Sequence, residues 1–340
     1  MLGIRTDANR IIATGHVMRC MTIADEAIKL GKDVIFFVAD EDSASFVRER
    51  GFMCEILGSS WENPASETDL LSQLIKKHDV DTVLFDSYSF DAEYFEKLRA
   101  VSDSKFVYMD DLCTQKMPVD TVINYNIYAN DLGYDKKYGE SINLLLGSVY
   151  APLRPQFGEV YEKKCTIPTN VLVCAGGGDV TDILFDILSG IENEPALKKA
   201  DFHVVIGSMS DDEKDLMRLA FCSDNIFIHR NVTEMAKLMS ECDMAVSAGG
   251  TMLTELCCMK VPTIEFAIAD NQLKNAAYYG EHGIMIAAGD IRQKRQAVVN
   301  RIVYNLAELI SDKKKLAEMR KKMEGICDGF GAKRIAEALC

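Results

Sequence analysis

Positive charge and long apolar runs are both scarce in this 340-residue chain. Its 38 Lys and Arg are outnumbered by 52 Asp and Glu, which gives a formal net charge of −14. That balance argues against nonspecific binding to nucleic acid or to an anionic membrane surface. No apolar stretch approaches the length of a transmembrane helix, and the N-terminus lacks a signal-peptide pattern. We therefore expect a cytoplasmic protein with no nucleic-acid partner and no integral membrane contact.

Metal-ligand spacing is also missing from the sequence. The 11 Cys are odd in number and scattered, and Cys257 and Cys258 are adjacent rather than spaced as a CxxC pair. Most of the others lie in apolar runs, as buried reduced thiols of cytosolic proteins do. Asp110 and Asp111 are paired, but without complementary His or carboxylate spacing an acidic helix cap is favoured. The sequence predicts neither a metal nor a cofactor.

What the chain does contain is an alternation of short apolar runs with helical patterns. Gly3-Ile4-Arg5 could end a first strand. Further strands are predicted at 34–39, 82–86, 105–109 and 121–124, and again at 170–175, 203–206, 226–229, 244–247 and 263–266. Such alternation predicts parallel βαβ units that bind ligands at the carboxyl ends of their strands.

The length corresponds to about two domains. Pro152, Pro155 and Pro168 interrupt the alternation and predict a linker there. We expect one α/β domain over 1–160, a second over 161–318 and a ligand cleft between the two. Residues 319–340 are predicted to form a C-terminal helix that packs back on the first domain.

The most informative stretch is the N-terminal loop before a helix predicted at Cys20–Leu30. Gly15-His16 places an imidazole near a helix start, where the dipole attracts anions and favours a neutral His. A neutral imidazole beside an anionic substrate can act as a general base. The alternative is a capping loop whose His satisfies backbone groups. The functional interpretation is favoured because several polar residues crowd this loop: Arg5, Asp7, Asn9, Gly15, His16 and Arg19.

Three polar clusters follow predicted strands in the first half of the chain. They are Asp86-Ser87-Tyr88, Asp110-Asp111 and Asn124-Tyr125-Asn126. Polar groups at several strand ends are typical of an open α/β active site. For any one cluster, an ordinary polar strand end explains the residues equally simply.

Two glycine-rich turns follow strands in the second half. Gly176-Gly177-Gly178 has neither GxGxxG nor Walker spacing, and a tight structural turn is as probable as a phosphate loop whose backbone N–H groups bind the anion. The second turn contains Gly249, Gly250 and Thr251, and Glu255 shares a helix face with Thr251. Two such turns suit a diphosphate, with Glu255 on the ribose; the alternative is a surface Glu.

An amide-rich loop follows the predicted strand at 263–266. Asn271, Gln272 and Asn275 could bind sugar hydroxyls or N-acetyl groups, although these residue types also begin turns and helices.

These residues together resemble a known family. Arg5-x-Asp7 with Gly15-His16-x-x-Arg19 resembles the N-terminal signature of the PseG-type UDP-sugar hydrolases of pseudaminic acid biosynthesis. Further segments fit the same family, namely Asp86-x-Tyr88, Asp110-Asp111, Asn124-x-Asn126 and Tyr150-x-x-x-Arg154. The second half looks like the nucleotide-binding domain of MurG-type GT-B glycosyltransferases. One departure is Ala175–Asp179, where relatives usually carry Ser or Thr before the Asp.

The resemblance implies a GT-B-like fold of two Rossmann-like domains. It also implies hydrolysis of UDP-2,4-diacetamido-2,4,6-trideoxy-β-L-altropyranose to UDP and free sugar, a reaction that serves polysaccharide biosynthesis and flagellin glycosylation. His16 matches the catalytic histidine of the family, and Tyr88 matches a tyrosine near the sugar. Residues predicted to bind the sugar side of the substrate are Asp86, Asn126, Tyr150 and Arg154.

The expected mechanism combines both halves. The turns at Gly176–Gly178 and Gly249–Gly250 would hold the diphosphate, Glu255 the ribose and the backbone near Val232 the uracil. His16 would activate water against an oxocarbenium-like transition state, with Arg5 or Arg19 helping to stabilise the leaving diphosphate.

Two alternatives of a different kind stay open. One is a GT-B glycosyltransferase that uses a UDP-sugar donor, and the other is a non-catalytic nucleotide-sugar-binding protein in which His16 and Tyr88 are structural. The acidic balance favours hydrolysis over transfer to a lipid acceptor. We expect a monomer or a weak oligomer.

Overall fold

The computed structural model describes residues 1–8, 15–161, 169–176, 180–207 and 213–340. The chain forms two compact units. Unit 1 comprises Met1–Pro155 together with Gly329–Cys340, and unit 2 comprises Gln156–Asp328. The first unit therefore gives way to the second after Pro155, whereas the boundary predicted from the sequence lies after residue 160.

The helices and strands alternate along the chain. The strands are β1 (Leu2–Thr6), β2 (Val34–Val38), β3 (Met53–Ile56), β4 (Thr82–Asp86), β5 (Lys105–Met109), β6 (Thr121–Asn124), β7 (Asn143–Leu146), β8 (Thr169–Cys174), β9 (Ala200–Ile206), β10 (Ile226–Arg230), β11 (Met244–Ala248), β12 (Thr263–Ala267) and β13 (Ile286–Asp290). The helices are α1 (Gly15–Lys29), α2 (Glu41–Glu49), α3 (Thr68–Lys77), α4 (Ala92–Arg99), α5 (Tyr134–Tyr138), α6 (Thr181–Glu192), α7 (Lys214–Phe221), α8 (Met235–Glu241), α9 (Met252–Cys258), α10 (Leu273–Glu281), α11 (Arg295–Ser311), α12 (Lys313–Met323) and α13 (Gly331–Leu339).

Each unit is built on a parallel sheet. The strand order is β3-β2-β1-β4-β5-β6-β7 in unit 1 and β10-β9-β8-β11-β12-β13 in unit 2. The order reverses between β1 and β4, and between β8 and β11. In open α/β sheets, ligands bind outside the carboxyl ends of the strands at such a reversal. Strands β2 and β4 are buried at every position, as expected of parallel strands covered on both faces.

Helix α1 begins five residues earlier than predicted. Its buried residues Val17, Cys20, Met21, Ala24 and Ala27 recur at helical spacing, so the apolar face already starts next to His16. His16 therefore lies in the first turn of α1 rather than in the loop before it.

No helix follows Asp110, contrary to the predicted acidic cap. Instead, Asp110 Oδ1 accepts hydrogen bonds from the backbone N–H groups of Leu112 and Cys113, at 2.9 and 3.0 Å. This is a side-chain-to-backbone turn, a structure that Asp forms as readily as a helix cap.

The C-terminal segment divides between the two units. Helix α12 belongs to unit 2, where Leu316 and Met319 join the hydrophobic core. Helix α13 belongs to unit 1, and Leu339 O accepts a hydrogen bond from Thr82 Oγ1 at 3.3 Å. Gly331 permits this packing, because a Cβ at that position would lie 2.1 Å from Ala151 O.

None of the described helices combines the length and apolar character needed to cross a membrane. The cysteines within the described ranges are free thiols.

Candidate functional site

A histidine–carboxylate pair occupies the strand-order reversal of unit 1. His16 Nδ1 lies 2.7 Å from Oδ1 of Asp86, the last residue of β4, and the Asp86 side chain is buried. A carboxylate can only accept, so we assign the proton of the neutral ring to Nδ1. The lone pair then lies on Nε2, which bonds to no residue in the part of the chain that the structure describes. This nitrogen is placed to accept a proton.

Arg19 fixes the same carboxylate from the next turn of α1. Its Nε donates to Asp86 Oδ2 at 2.6 Å, its Nη2 donates to Asp86 Oδ1 at 2.5 Å, and its Nη1 donates to Tyr125 Oη at 2.5 Å. Burial alone would raise the pKa of Asp86, but Arg19 and His16 hold that pKa well below its usual range. Asp86 therefore stays ionised, and the guanidinium group of Arg19 holds this carboxylate in position.

The ring of Tyr88 packs against the ring of His16. The two rings meet edge to face with centroids 5.0 Å apart, and Tyr88 is 53% exposed. Its Oη donates to Asp111 Oδ2 at 2.7 Å, and Asn126 Nδ2 donates to Asp111 Oδ1 at 3.3 Å. Partial burial and the nearby Asp111 carboxylate raise the pKa of Tyr88, so the phenol stays protonated and acts as a hydrogen-bond donor.

A pocket with an empty volume of about 260 Å³, partly open to solvent, adjoins this cluster. The residues that line it are Asp7, His16, Trp61, Asp86, Ser87, Tyr88 and Ser89. Four of these are predicted site residues; Ser87 is named only within a predicted polar cluster, and Trp61 and Ser89 have no predicted role. The available signals were that Trp61 is the only Trp of the chain and that Ser87 follows a predicted strand.

A second buried cluster shares Asp7 with the pocket lining and is centred on Arg5. The Nε and Nη2 groups of Arg5 donate to both carboxylate oxygens of Glu67, at 2.7 and 2.8 Å, while Nη1 lies 2.6 Å from Asp7 Oδ2. Asp7 Oδ1 also accepts from the backbone N–H of Ala39 at 2.7 Å. Arg5 is fully buried, so it holds this cluster together instead of reaching a ligand.

Within the described ranges, four other predicted residues of unit 1 do not line this pocket. Asn126 belongs to the Asp111 cluster, whereas Tyr150 ends a short 3-10 helix (Ser148–Tyr150) and Arg154 follows it. Within the described ranges, neither Tyr150 nor Arg154 lines the His16 pocket. Gly15 begins α1, where a Cβ would meet nothing within 4 Å.

The glycine turn between β11 and α9 is arranged differently from the prediction. The backbone N–H of Gly249 donates to Phe266 O and that of Gly250 donates to Ala248 O, both at 2.9 Å, so neither amide is available for a phosphate. The amides of Thr251 and Met252 have no acceptor in the described part of the chain. Glycine at 249 avoids crowding, because a Cβ there would lie 3.2 Å from Gln272 Cβ.

The first glycine turn is described only in part. Gly176 follows β8 with a φ of 97°, a left-handed value that favours glycine. Gly177 and Gly178 lie outside the described residues. Glu255 is half-buried one turn into α9, close enough to Cys174 to contribute, after burial, to raising the pKa of that thiol to about 12.

The remaining predicted residues of unit 2 are structural or exposed. Gln272 Oε1 accepts from the backbone N–H of Ile268 at 3.0 Å and so closes its own turn. Asn271 is exposed and Asn275 is half-buried in α10. Val232 follows β10, and its backbone N–H and C=O bond to none of the described residues. The side chain of Gln156 hydrogen-bonds to the segment after Val232. Its Nε2 donates to Thr233 O, and its Oε1 accepts from the backbone N–H of Ala236.

No group of three or more His, Cys, Asp or Glu side chains in the described ranges could hold a metal ion.

This architecture matches a solved structure over its whole length. The crystal structure of MurG from Acinetobacter baumannii is 12% identical, with a TM-score of 0.72, and the match covers 99% of this chain and 98% of that one. The fold is that of the GT-B glycosyltransferases. The predicted GT-B-like α/β fold with two Rossmann-like halves is confirmed.

The chain also has relatives by sequence, each at low identity. The spore coat polysaccharide biosynthesis protein SpsG of Bacillus subtilis is 24% identical, over 99% of this chain and 97% of its own. The UDP-2,4-diacetamido-2,4,6-trideoxy-beta-L-altropyranose hydrolase of Campylobacter jejuni is 21% identical, over 82% of this chain and 96% of its own. A family described as "Protein of unknown function (DUF354)" matches residues 168–329.

Proposed function

We propose that this protein hydrolyses a UDP-linked diacetamido-trideoxyhexose to UDP and the free sugar, as in the biosynthesis of pseudaminic acid and related nonulosonic acids. The observation that carries the proposal is the His16–Asp86 pair, which leaves His16 Nε2 available beside a pocket. Similarity to the Campylobacter jejuni hydrolase supports this choice of reaction and sugar.

In the proposed reaction, water attacks the anomeric carbon while the bond to the UDP oxygen breaks. The transition state has oxocarbenium character, as in glycosidases. His16 Nε2 accepts the proton of the water, and Asp86 stabilises the imidazolium that forms. Arg19 holds the Asp86 carboxylate with two hydrogen bonds, and its Nη2 also lies 3.0 Å from His16 Nδ1, so it is a positioning residue.

Unit 2 would bind the nucleotide. The amides of Thr251 and Met252 and the Gly176 turn would hydrogen-bond the diphosphate, replacing the amides of Gly249 and Gly250 in that role. Glu255 would accept from the ribose hydroxyls. The available backbone groups of Val232 suit the donor and acceptor edge of uracil, and the two hydrogen bonds to Gln156 keep the adjoining loop in place.

Unit 1 would bind the sugar. Tyr88 lies against the His16 ring with a protonated hydroxyl, and Asn126 reaches the same Asp111 carboxylate. We retain Tyr150 and Arg154 as residues that contact the substrate outside the His16 pocket. Arg5 and Asp7 would support the pocket from behind.

UDP release from candidate UDP-sugars, with and without an acceptor, tests the proposal. We expect acceptor-independent release that falls at least about a hundredfold in His16→Ala, because general base catalysis contributes that much or more. His282→Ala is the matched control, since His282 stacks on Tyr278 in unit 2. Full activity of a folded His16→Ala protein would contradict the mechanism.

Glycosyl transfer is the second candidate, because the matched solved structures are glycosyltransferases. Release of UDP only when an acceptor is present would favour transfer, and binding without release would favour a non-catalytic protein. We further propose that the protein works in the cytoplasm as a monomer or weak oligomer, without metal or cofactor.

A further inference from the structure

Trp61 lines the His16 pocket, yet the proposed hydrolysis gives it no role. It is the only Trp of the chain and lies in the loop between β3 and α3, with its side chain half-buried. Its indole N–H donates to no residue that the structure describes. A large aromatic surface with an available donor therefore borders the same space as His16 Nε2.

The loop around Trp61 is a tight, hydrogen-bonded turn. Asn63 N donates to Ser60 O at 3.0 Å, and Glu62 N donates to Ser60 Oγ at 3.3 Å. Trp61 is the second residue of this four-residue turn, so its backbone is constrained on both sides.

The base of the turn is tied to the buried Arg5 cluster. Ser59 N donates to Ala39 O at 3.2 Å, and Ser59 Oγ donates to Glu67 Oε2 at 2.5 Å. Glu67 is the carboxylate that Arg5 holds with two hydrogen bonds and that accepts from Tyr94 Oη at 2.7 Å. The buried cluster thus fixes the loop that presents Trp61, which reduces the ordering cost of ligand binding.

The lining of the pocket combines groups that can hydrogen-bond with aromatic rings. His16, Ser87 and Ser89 offer groups that can hydrogen-bond, whereas Trp61 and Tyr88 offer ring surfaces. Such a site suits a ligand with one polar edge and one apolar face. A sugar has both, and loss of a ring-substituent hydroxyl enlarges its apolar face.

We propose that Trp61 is a specificity-determining residue whose indole packs against the apolar C–H face and methyl group of a deoxy sugar bound beside His16. This inference rests on the proposed function, because it assigns the sugar moiety of the substrate to the same pocket.

Tryptophan fluorescence tests the proposal directly, since the chain has a single Trp. Full-length His16→Ala protein, which should not turn over substrate, is titrated with UDP-2,4-diacetamido-2,4,6-trideoxy-β-L-altropyranose and, separately, with UDP. We expect a saturable change in Trp61 emission with the sugar nucleotide that is at least about three times the change with UDP, because only the sugar would reach the indole. Equal responses to the two ligands would overturn the proposal.

Steady-state kinetics supply the second test. Trp61→Ala should raise KM about tenfold or more with little change in kcat, because stacking binds substrate and transition state alike. Trp61→Phe should keep most of the affinity, which separates loss of stacking from loss of fold. Phe221→Ala, an exposed aromatic of unit 2, is the control and should match the unmodified protein.

The outcomes separate this proposal from the proposed hydrolysis. If UDP is released normally while Trp61→Ala retains kcat/KM within about twofold, the stacking role is wrong and the hydrolysis stands. If no UDP is released but Trp61 emission responds to the sugar nucleotide and not to UDP, the sugar site stands and the hydrolysis is wrong. Should Trp61→Ala fail to fold, Trp61→Phe and the fluorescence titration decide the matter.

Discussion

Units 1 and 2 share a strand order, to which unit 1 adds β7 at one edge, but they place different polar groups at the point where the order reverses. In unit 1, between β1 and β4, the groups are ionisable side chains in mutual contact, His16, Arg19 and Asp86. In unit 2, between β8 and β11, they are glycine turns followed by the helix-start amides of Thr251 and Met252. Ionisable side chains can move protons, whereas backbone amides can bind anions but cannot titrate. The same topology thus presents two different kinds of polar group.

Buried carboxylates sharpen the contrast between the units. Asp86 is hydrogen-bonded to Arg19 and His16, which keep its pKa low despite burial. Glu265, in β12 of unit 2, is 0% exposed, and its two oxygens have no hydrogen-bond partner among the described residues. Burial raises the pKa of Glu265 to about 8. Burial disfavours the ionised form of both carboxyl groups. Asp86 stays ionised because it has a cationic partner.

The largest expected effect is that of Asp86→Asn on catalysis. An amide at this position no longer fixes the Nδ1–H tautomer of His16, so we expect kcat to fall about 10³-fold or more. Affinity for UDP, measured by calorimetry, should stay unchanged because unit 2 would bind the nucleotide. An equal loss of UDP affinity would show that the two units do not divide the work.

Glu265→Leu should change the pH dependence of stability. In unmodified protein the folded state holds the Glu265 proton more tightly than the unfolded state, so stability falls as pH rises from about 4.5 towards about 8, by up to about 1.4 kcal/mol per pH unit. The variant should lack this contribution and be more stable at the upper end of the window.

Urea unfolding near both ends of that pH window measures the effect. Glu265→Gln, which removes the charge but keeps the polar group, is the matched control and should also lose the slope. If the unmodified protein and both variants show the same slope, the carboxyl must have a partner in solution.

Gly249→Ala and Gly250→Ala form a matched pair within unit 2. At 249 the new methyl group would lie 3.2 Å from Gln272 Cβ, whereas at 250 its nearest neighbour is Gln272 Nε2 at 3.7 Å. We expect Gly249→Ala to destabilise the protein by about 1–3 kcal/mol through overpacking, with weaker UDP binding. Gly250→Ala should be nearly neutral. Thermal unfolding and UDP titration measure both, and similar losses in the two variants would argue against the packing explanation.

The smallest expected effect is that of Tyr88→Phe. The change removes the hydrogen bond to Asp111 but keeps the ring against His16, so kcat/KM should fall about tenfold or less. Because the phenol is protonated throughout the neutral range, the pH profile of kcat should not move. Tyr304→Phe, an exposed residue of α11, is the control. A shifted pH profile in Tyr88→Phe would mean that this hydroxyl titrates during turnover.

The strands that sequence analysis missed are β3, β7 and β13, and each lies at the edge of its sheet. Most of their residues are exposed or half-buried, and β3 and β13 also lack the continuous apolar run that marked the central strands. In β13, small residues and a register shift against β12 weaken the pattern further. Strand formation there depends on the neighbouring strand more than on the local sequence.

The sequence by itself determined the alternating α/β pattern, the strand ends and the positions of His16 and the glycine turns, because these follow from local periodicity and residue type. Only the tertiary structure paired His16 with Asp86, 70 residues away, and Arg5 with Glu67, 62 residues away. It likewise brought Trp61 to the pocket, bonded the Gly249 amide to Phe266 O of β12 and used the Gly250 amide within its own turn. Such partners are chosen by strand order and by the need to satisfy each buried charge and amide, and neither requirement is local in sequence.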